Sequence, residues 1–591
     1  MTAAHPHQPF GAAGRLIAMA LLVGACGTVV DPITTLLPSP TAVRTTPTPS
    51  SGPFVKSAYP VDGDAPCGGA NAPDASHAAY TGNIKRISAS KATTVVFELC
   101  NPDVAFLSKL ASPAFSINDS GWLKAHIDPT VTGLQAIVSE VNGTGPYRLE
   151  RWTRGSEVRL ARNDAYWGDP ATNERVIVRW LDDATQRLKE LQEGTVDGTD
   201  SLDPAGVGTA NDDGALTLKT RPGLNVFYLG FNANVAPFDN EKVRQAIAIG
   251  VDRAHIVSTY FPAGSEVASH YTPCPIPFGC SGAPWYEYDP PQAKELMVAA
   301  GYPGGFDTTI RYLATARPYL PDPAGVASEL QAELLANLRI RAELVAVPEE
   351  TFIADLDAGT LDGIHLLGQT ATFPDVTAFL DPRFGSGSSA EFGKPFPDIG
   401  AALASGDASA AANKRDAAYA KANDAIRAHV PMVPIARTGS AAAFRADVDG
   451  AGASPLHLER FAGMTPGDRR QFVWLTTAEP GGLYCADATD PVANLVCAQL
   501  MDTLYAYDPT GSGPVPSLAR RCDPNTGLTV WTCALTPGVR FQDGSTVDAS
   551  DVVLSFAVQW DAEHPLHKGR AGTFATFQSL FGGFLHPAAR P

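Results

Sequence analysis

Beyond about residue 80 the chain alternates short apolar runs with amphipathic stretches, a pattern that predicts strands punctuated by helices. TTVVFEL (93–99) is β-branched and predicts a strand. PYRLERW and SEVRLARN (146–163) alternate apolar and polar positions across Arg154-Gly155, which predicts a hairpin. VIVRWL (176–181) predicts a further strand, and DATQRLKELQEG (183–194) a helix capped by Asp183 and stopped at Gly194. NVFYLGFN (225–232) is apolar on both alternating faces and predicts a fully buried strand. EKVRQAIAIGVDRAHIV (241–257) and PPQAKELMVAAG (290–301) carry helical apolar spacing, and an Ala-rich helix is expected over 404–429. LTVWTCALTPGVRFQDGSTVDASDVVLSFAVQW (528–560) predicts two strands, a turn and a helix capped by Asp548 or Ser550. This βαβ rhythm predicts α/β lobes with mostly parallel sheets.

The start of the chain departs from that pattern. Arg15 precedes the apolar run Leu16–Ala25, which is too short to span a bilayer as a helix, and small residues lead to Cys26. This predicts a secretory signal over 1–26, and Val23-Gly24-Ala25-Cys26 resembles a bacterial lipobox in which Cys26 is the lipidated residue. The Pro/Thr/Ser-rich stretch 27–56 lacks the apolar content to fold and is expected to be a disordered linker. At 591 residues the chain exceeds one core, so two or three lobes are expected. The net charge of −18 argues against a nucleic-acid partner, which would require a basic face.

Nine cysteines less Cys26 leave eight, an even number that favours disulfides in an exported protein. Cys522 and Cys533 flank a hairpin, and Cys274 and Cys280 enclose a short Pro/Gly loop. Elimination leaves Cys485 with Cys497 and Cys67 with Cys100, although sequence alone does not fix connectivity. Cys and His residues do not fall at zinc spacing, so no metal and no cofactor are expected.

GTGPYRLERWTRGSEVRLARNDAYWGDP (143–170), LKELQEGTVD (188–197), NVFYLGFN (225–232), VRQAIAIGVDRAHIV (243–257) and LTPGVRFQDGSTVDASDVVLSF (535–556) together resemble the extracellular solute-binding proteins of the dipeptide, oligopeptide and nickel type. In that family the segment like 471–560 comes first and the one like 84–450 follows, so the chain resembles a circular permutant. The resemblance implies an α/β, two-lobe, type II periplasmic-binding-protein-like clamp of the large peptide-binder variety. Lobe I would comprise 57–222 and 438–591, with a small subdomain from about 84–140 and 508–591. Lobe II would comprise 223–437, with hinges around 223–232 and 430–438. The implied function is capture of a small solute, with a short peptide favoured, for an ABC transporter permease. The protein would be a non-enzymatic monomer outside the cytoplasm, touching the membrane only through its lipid.

Two segments carry the family's ligand role over. One is HLLGQTATFPDVTAFLDP (365–382), whose candidate contacts are Gly368, Gln369, Thr370, Thr372, Phe373 and Asp375. The other is EPGGLYCADATDP (479–491), with Tyr484, Thr489 and Asp490. Arg437, beyond the second hinge, is a further candidate for a ligand carboxylate, with a structural ion pair as its alternative. Gln369 stands at the family's tryptophan, and Thr372 at the aspartate that grips a peptide's α-amino group, so that grip is in question. A turn cap competes as the role of Asp375, packing as that of Phe373 and Tyr484, and His365 reads as a satisfied core histidine. A nickel chelate or oligosaccharide is the alternative ligand, and a surface receptor without a transporter the alternative role. Neither GxSxG nor HExxH occurs, which argues against a hydrolase.

Overall fold

The computed structural model describes residues 54–69, 79–128, 130, 136–570 and 572–587. The expected signal, Cys26 and the spacer up to residue 53 lie outside the described residues. Phe54 already packs on a core, so the folded body starts slightly before residue 57. Among the described residues no helix is long and apolar enough to cross a membrane.

Three principal sheets organise the body. A five-stranded antiparallel sheet runs in the order Ser57–Tyr59, Ile84–Lys91, Thr94–Leu99, Val530–Leu535, Ala519–Pro524. Its central pairing joins strands from opposite ends of the chain, with Phe97 opposite Trp531. A seven-stranded sheet has the order Tyr147–Thr153, Glu157–Arg162, Arg175–Trp180, Gln471–Thr476, Gly198–Asp200, Ser440–Arg445, Leu216–Arg221. Gln471–Thr476 inserts parallel to Arg175–Trp180, with Trp474 opposite Val178. A six-stranded sheet has the order Glu266–Val267, Met432–Arg437, Asn225–Phe231, Ile364–Thr370, Asp307–Leu313, Arg341–Val347.

The expectation of mostly parallel sheets does not hold: the five-stranded sheet is antiparallel throughout, and the six- and seven-stranded sheets are mixed with antiparallel pairs in the majority. Parallel pairing in the six-stranded sheet is confined to Asp307–Leu313 and its two neighbours, where helix Pro323–Leu338 supplies a crossover. Some antiparallel pairs are hairpins, as at Gly155, whose φ of 72° suits the turn between Tyr147–Thr153 and Glu157–Arg162, and others join strands distant in the chain, such as Asn225–Phe231 with Met432–Arg437. Asn225–Phe231 is buried at every position, as its unbroken apolar run predicts.

Two expected helices are each split. The 241–257 stretch forms Glu241–Gly250 and Arg253–Tyr260, because the Asp252 side chain accepts the His255 amide and starts a second helix. The Ala-rich stretch forms Pro397–Asp407 and Ala412–His429, interrupted where Ser409 Oγ accepts the Ala411 amide. Helix Ala549–Trp560 is capped by Asp548 in a capping box with Asp551.

All four cysteine pairs form as disulfides: Cys67–Cys100, Cys274–Cys280, Cys485–Cys497 and Cys522–Cys533. Cys522 and Cys533 sit directly opposite one another across their strand pair.

The chain passes between the seven- and six-stranded sheets at two points. Residues 222–224 join Leu216–Arg221 to Asn225–Phe231, and residues 438–439 join Met432–Arg437 to Ser440–Arg445. Asn225 ties the two crossings together. Its Nδ2 donates to Thr438 O at 2.8 Å and its Oδ1 accepts the Thr438 amide at 2.9 Å. A Cβ at Gly223 would overlap Thr438 O, so the crossings touch backbone to backbone.

Candidate functional site

The residues singled out in the sequence fall into two clusters, with Arg437 joined to the first through the 270–272 loop, whose Tyr271 hydrogen-bonds Gln369. The first cluster is the end of strand Ile364–Thr370 and the loop after it. Gly368 pairs with Phe227, and a Cβ there would overlap the Tyr319 ring. Gln369, at the tryptophan position, spans two partners: Oε1 accepts the Tyr271 hydroxyl at 2.9 Å and Nε2 donates to Ala378 O. Thr370 and Thr372 are exposed. Asp375 is buried and fully engaged, since Oδ1 accepts the Thr377 amide and hydroxyl while Arg415 Nη2 pairs with it at 2.8 Å. It acts both as a turn cap and as a counter-ion.

Phe373 is half-buried and packs against two cores, the one around the six-stranded sheet and the one containing Tyr484. The Lys109 ammonium lies 5.1 Å above its ring, and Ser108 Oγ donates to Pro374 O at 2.8 Å. Ser512 Oγ likewise donates to Pro275 O at 2.8 Å, a second contact between these regions.

An acidic group lies behind this contact. Asp381 Oδ1 is buried without a hydrogen-bond partner. Burial, then the Asp407 and Asp375 carboxylates, push its pKa up to about 8, against the opposing pull of Lys109 and Arg415. The folded state therefore holds this proton at pH values where the unfolded chain, at 3.8, has lost it. Stability from this group is present at low pH and lost as pH rises from about 4 to about 8. Asp551 and Glu333, both raised to about 7 chiefly by burial, act in the same sense. Asp381→Asn should therefore gain on the parent protein with rising pH. Thermal melts at pH 5 and pH 8.5 should show the melting-temperature difference moving in the variant's favour by about 2 °C or more. A pH-independent difference would contradict the assignment.

The second cluster surrounds a cavity of about 280 Å³ lined by Val138, Gly482, Tyr484, Asp487, Ala488, Thr489, Asp490 and Arg570. It therefore brings Tyr484, Thr489 and Asp490 together as the sequence pattern suggested. Asp490 caps helix Pro491–Leu500 by accepting the Ala493 amide at 2.7 Å, and its other oxygen accepts the Gly481 amide at 3.2 Å. Asp487 accepts the Gly572 and Phe574 amides, which brings the loop carrying Arg570 over the cavity. The Cys485–Cys497 disulfide ties the cavity wall to the same helix. Tyr484 is 4% exposed and meets Phe574 edge-on; burial, with Asp487 nearby, pushes its hydroxyl well above the ordinary phenol range. Sequence reading missed Asp487 and Arg570. The only hint was the basic, Gly-containing run HKGRAG (567–572).

Arg437 is 1% exposed, and its Nη2 donates to His270 O at 2.6 Å and Thr272 O at 2.5 Å. Burial pulls its pKa down to about 9, with Glu266 opposing. It thereby fastens the 270–272 loop to the end of the second crossing strand, and it has no carboxylate partner among the described residues. His270, Cys274 and Cys280 bring ligand-type atoms together, but the two sulfurs are bonded to each other and offer no thiolate. His365 is fully buried, with Nε2 at 3.0 Å from Glu391 Oε1. Glu391 also accepts the Tyr228 hydroxyl at 2.7 Å and pairs with Arg383 at 2.7 Å. Burial pushes the Glu391 pKa up, but Arg383, His365 and Tyr228 outweigh it and hold the carboxyl below its usual value.

The family model for bacterial extracellular solute-binding proteins, family 5 Middle, matches residues 64–391. The chain belongs to this family. Its members bind solutes rather than transform them, and they act outside the cytoplasm. This solute-binding protein is 28% identical over 380 residues to the dipeptide-binding protein of Escherichia coli (strain K12), covering 62% of this chain and 69% of the relative. It is 27% identical over 389 residues to heme-binding protein A of Haemophilus influenzae, covering 65% and 70%. Among solved structures, HbpA2 from Haemophilus parasuis matches with a TM-score of 0.60 at 26% identity, over 65% of this chain and 76% of that one.

Proposed function

We propose that this solute-binding protein is a lipid-anchored monomer that closes two lobes on a short peptide and delivers it to an ABC permease. The observation that carries this reading is the pair of short crossings at 222–224 and 438–439, tied by Asn225, between two sheets with separate cores. Rotation about two such points needs few backbone changes, and a ligand touching both sides favours the closed state. The lobes are taken as 57–222 with 438–591, and 223–437. Contacts of Ser108 and Lys109 with Pro374 and Phe373 then join the lobes in a closed arrangement. Cys26 with the spacer behind it supplies the anchor in this reading, and the names of the peptide-binding relatives favour the peptide.

A circular permutation of the family order forms part of the same reading. Two features support it: Gln471–Thr476 pairs inside the sheet of Arg175–Trp180, and the Asn83 amide donates to Phe581 O at 2.7 Å. Segments near the two ends of the body are thus neighbours, as rejoining at a new point requires.

The second reading, a non-peptide solute, is favoured by one observation. Thr372 is an exposed hydroxyl where a peptide amine would need a carboxylate, and neighbouring Asp375 is already engaged. Thermal-shift measurements on the purified full chain decide between them. A bound di- or tripeptide at about 100 times its Kd should add about 2.7 kcal/mol of stability. If only nickel chelates, haem or oligosaccharides raise the melting temperature, the peptide assignment is wrong.

A further inference from the structure

We propose that the cavity beside Tyr484 receives the carboxylate-bearing end of the ligand, with Arg570 as its counter-ion. This rests on the binding function proposed above and specifies its ligand chemistry. The lining contains two carboxylates and one guanidinium, which by charge alone would suit a cation. The hydrogen bonds commit both carboxylates to backbone amides, while Arg570 Nη1 and Asp490 Oδ2 both flank Gly481 without forming an ion pair. Asp487 accepts two backbone amides from the 572–574 stretch, and Asp490 accepts those of Gly481 and Ala493. Each carboxylate is occupied in holding the wall together.

The groups left over are donors. The Arg570 side chain is exposed and has no ion pair or hydrogen bond among the described residues, so its five N–H groups are unspent. Thr489 is exposed on the same wall. The Tyr484 ring is 4% exposed, yet its hydroxyl donates to nothing among the described residues. A nearly buried phenol with a free O–H, beside an unpaired guanidinium, is a donor set that a carboxylate oxygen pair satisfies. Glycines keep the space open: a Cβ at Gly481 would overlap the Arg570 guanidinium, and one at Gly569 would overlap Asp487 Oδ2. At about 280 Å³ the cavity lies just below the range of whole-ligand pockets, so it fits one end of an extended molecule.

The test is calorimetric titration of the full chain with a panel of di- and tripeptides, each as the free acid and as the C-terminal amide. The parent protein should prefer the acid by about 10- to 100-fold. Arg570→Gln should lose that preference while binding the amide as before, and Tyr484→Phe should lose part of it. The exposed position of Arg570 predicts an unchanged melting temperature for the ligand-free variant. Equal affinity of the parent for acid and amide, or equal weakening of both in Arg570→Gln, overturns the proposal. If no peptide binds in either form, the peptide reading fails separately. Succinate and its dimethyl ester at millimolar concentration then test the cavity. A thermal shift with succinate that Arg570→Gln abolishes upholds the carboxylate site, and no shift overturns it.

Discussion

Glu391→Gln should destabilise the protein by about 3–5 kcal/mol, among the largest effects expected of any single substitution in this chain. Glu391 is fully buried and is the common acceptor for Tyr228, His365 and Arg383. Gln keeps the volume but removes the charge that compensates Arg383, a guanidinium only 14% exposed. Taking two charges out of water is tolerated when they meet, and removing one partner leaves the other's desolvation uncompensated. A double variant, Arg383→Met with Glu391→Gln, should cost less than the sum of the single changes. Chemical denaturation of the three variants checks this, and a cost below about 1 kcal/mol for Glu391→Gln would show that the network is not a charge-compensated unit.

Gly223→Val is expected to weaken ligand binding at least tenfold and to cost about 1–3 kcal/mol in stability. The new side chain would meet the Thr438 carbonyl and the Asn225 amide group, so the two crossings would have to separate. Leu224, the next residue, belongs to the core of the six-stranded sheet, so the stability cost arises there, while the loss of binding should come from the altered alignment of one sheet against the other. Titration with the best-binding peptide and a parallel melt measure the two effects. Full affinity in Gly223→Val would mean that the crossings do not govern capture.

Much of the secondary structure was legible in the chain, because its strands and helices follow local rules. The hairpin at Gly155, the buried strand Asn225–Phe231 and the Asp548 cap each follow from a residue-level preference that the packing agrees with. Sheet direction was not legible. Strands such as Thr94–Leu99 and Val530–Leu535 pair across hundreds of residues, and no local period encodes which way they run. Helix interruptions at Asp252 and Ser409 were missed because a capping side chain competes with helix continuity only when tertiary contacts favour the break.

The candidate site was half visible. Tyr484, Thr489 and Asp490 stood out by their place in one segment, and they do share a cavity. Arg570 lies far along the chain, in a loop held by Asp487, and nothing in its own neighbourhood marks it as facing that segment. Asp375 and Arg437 were plausible ligand groups by type, but type does not reveal that Arg415 occupies one and backbone carbonyls the other.

Small-angle scattering on the purified full chain, with and without a saturating peptide, tests the central claim most directly. Two lobes pivoting on residues 222–224 and 438–439 predict a radius of gyration that falls on binding, and Gly223→Val should blunt that fall. A peptide that binds tightly while leaving the scattering profile unchanged would contradict closure as the means of capture.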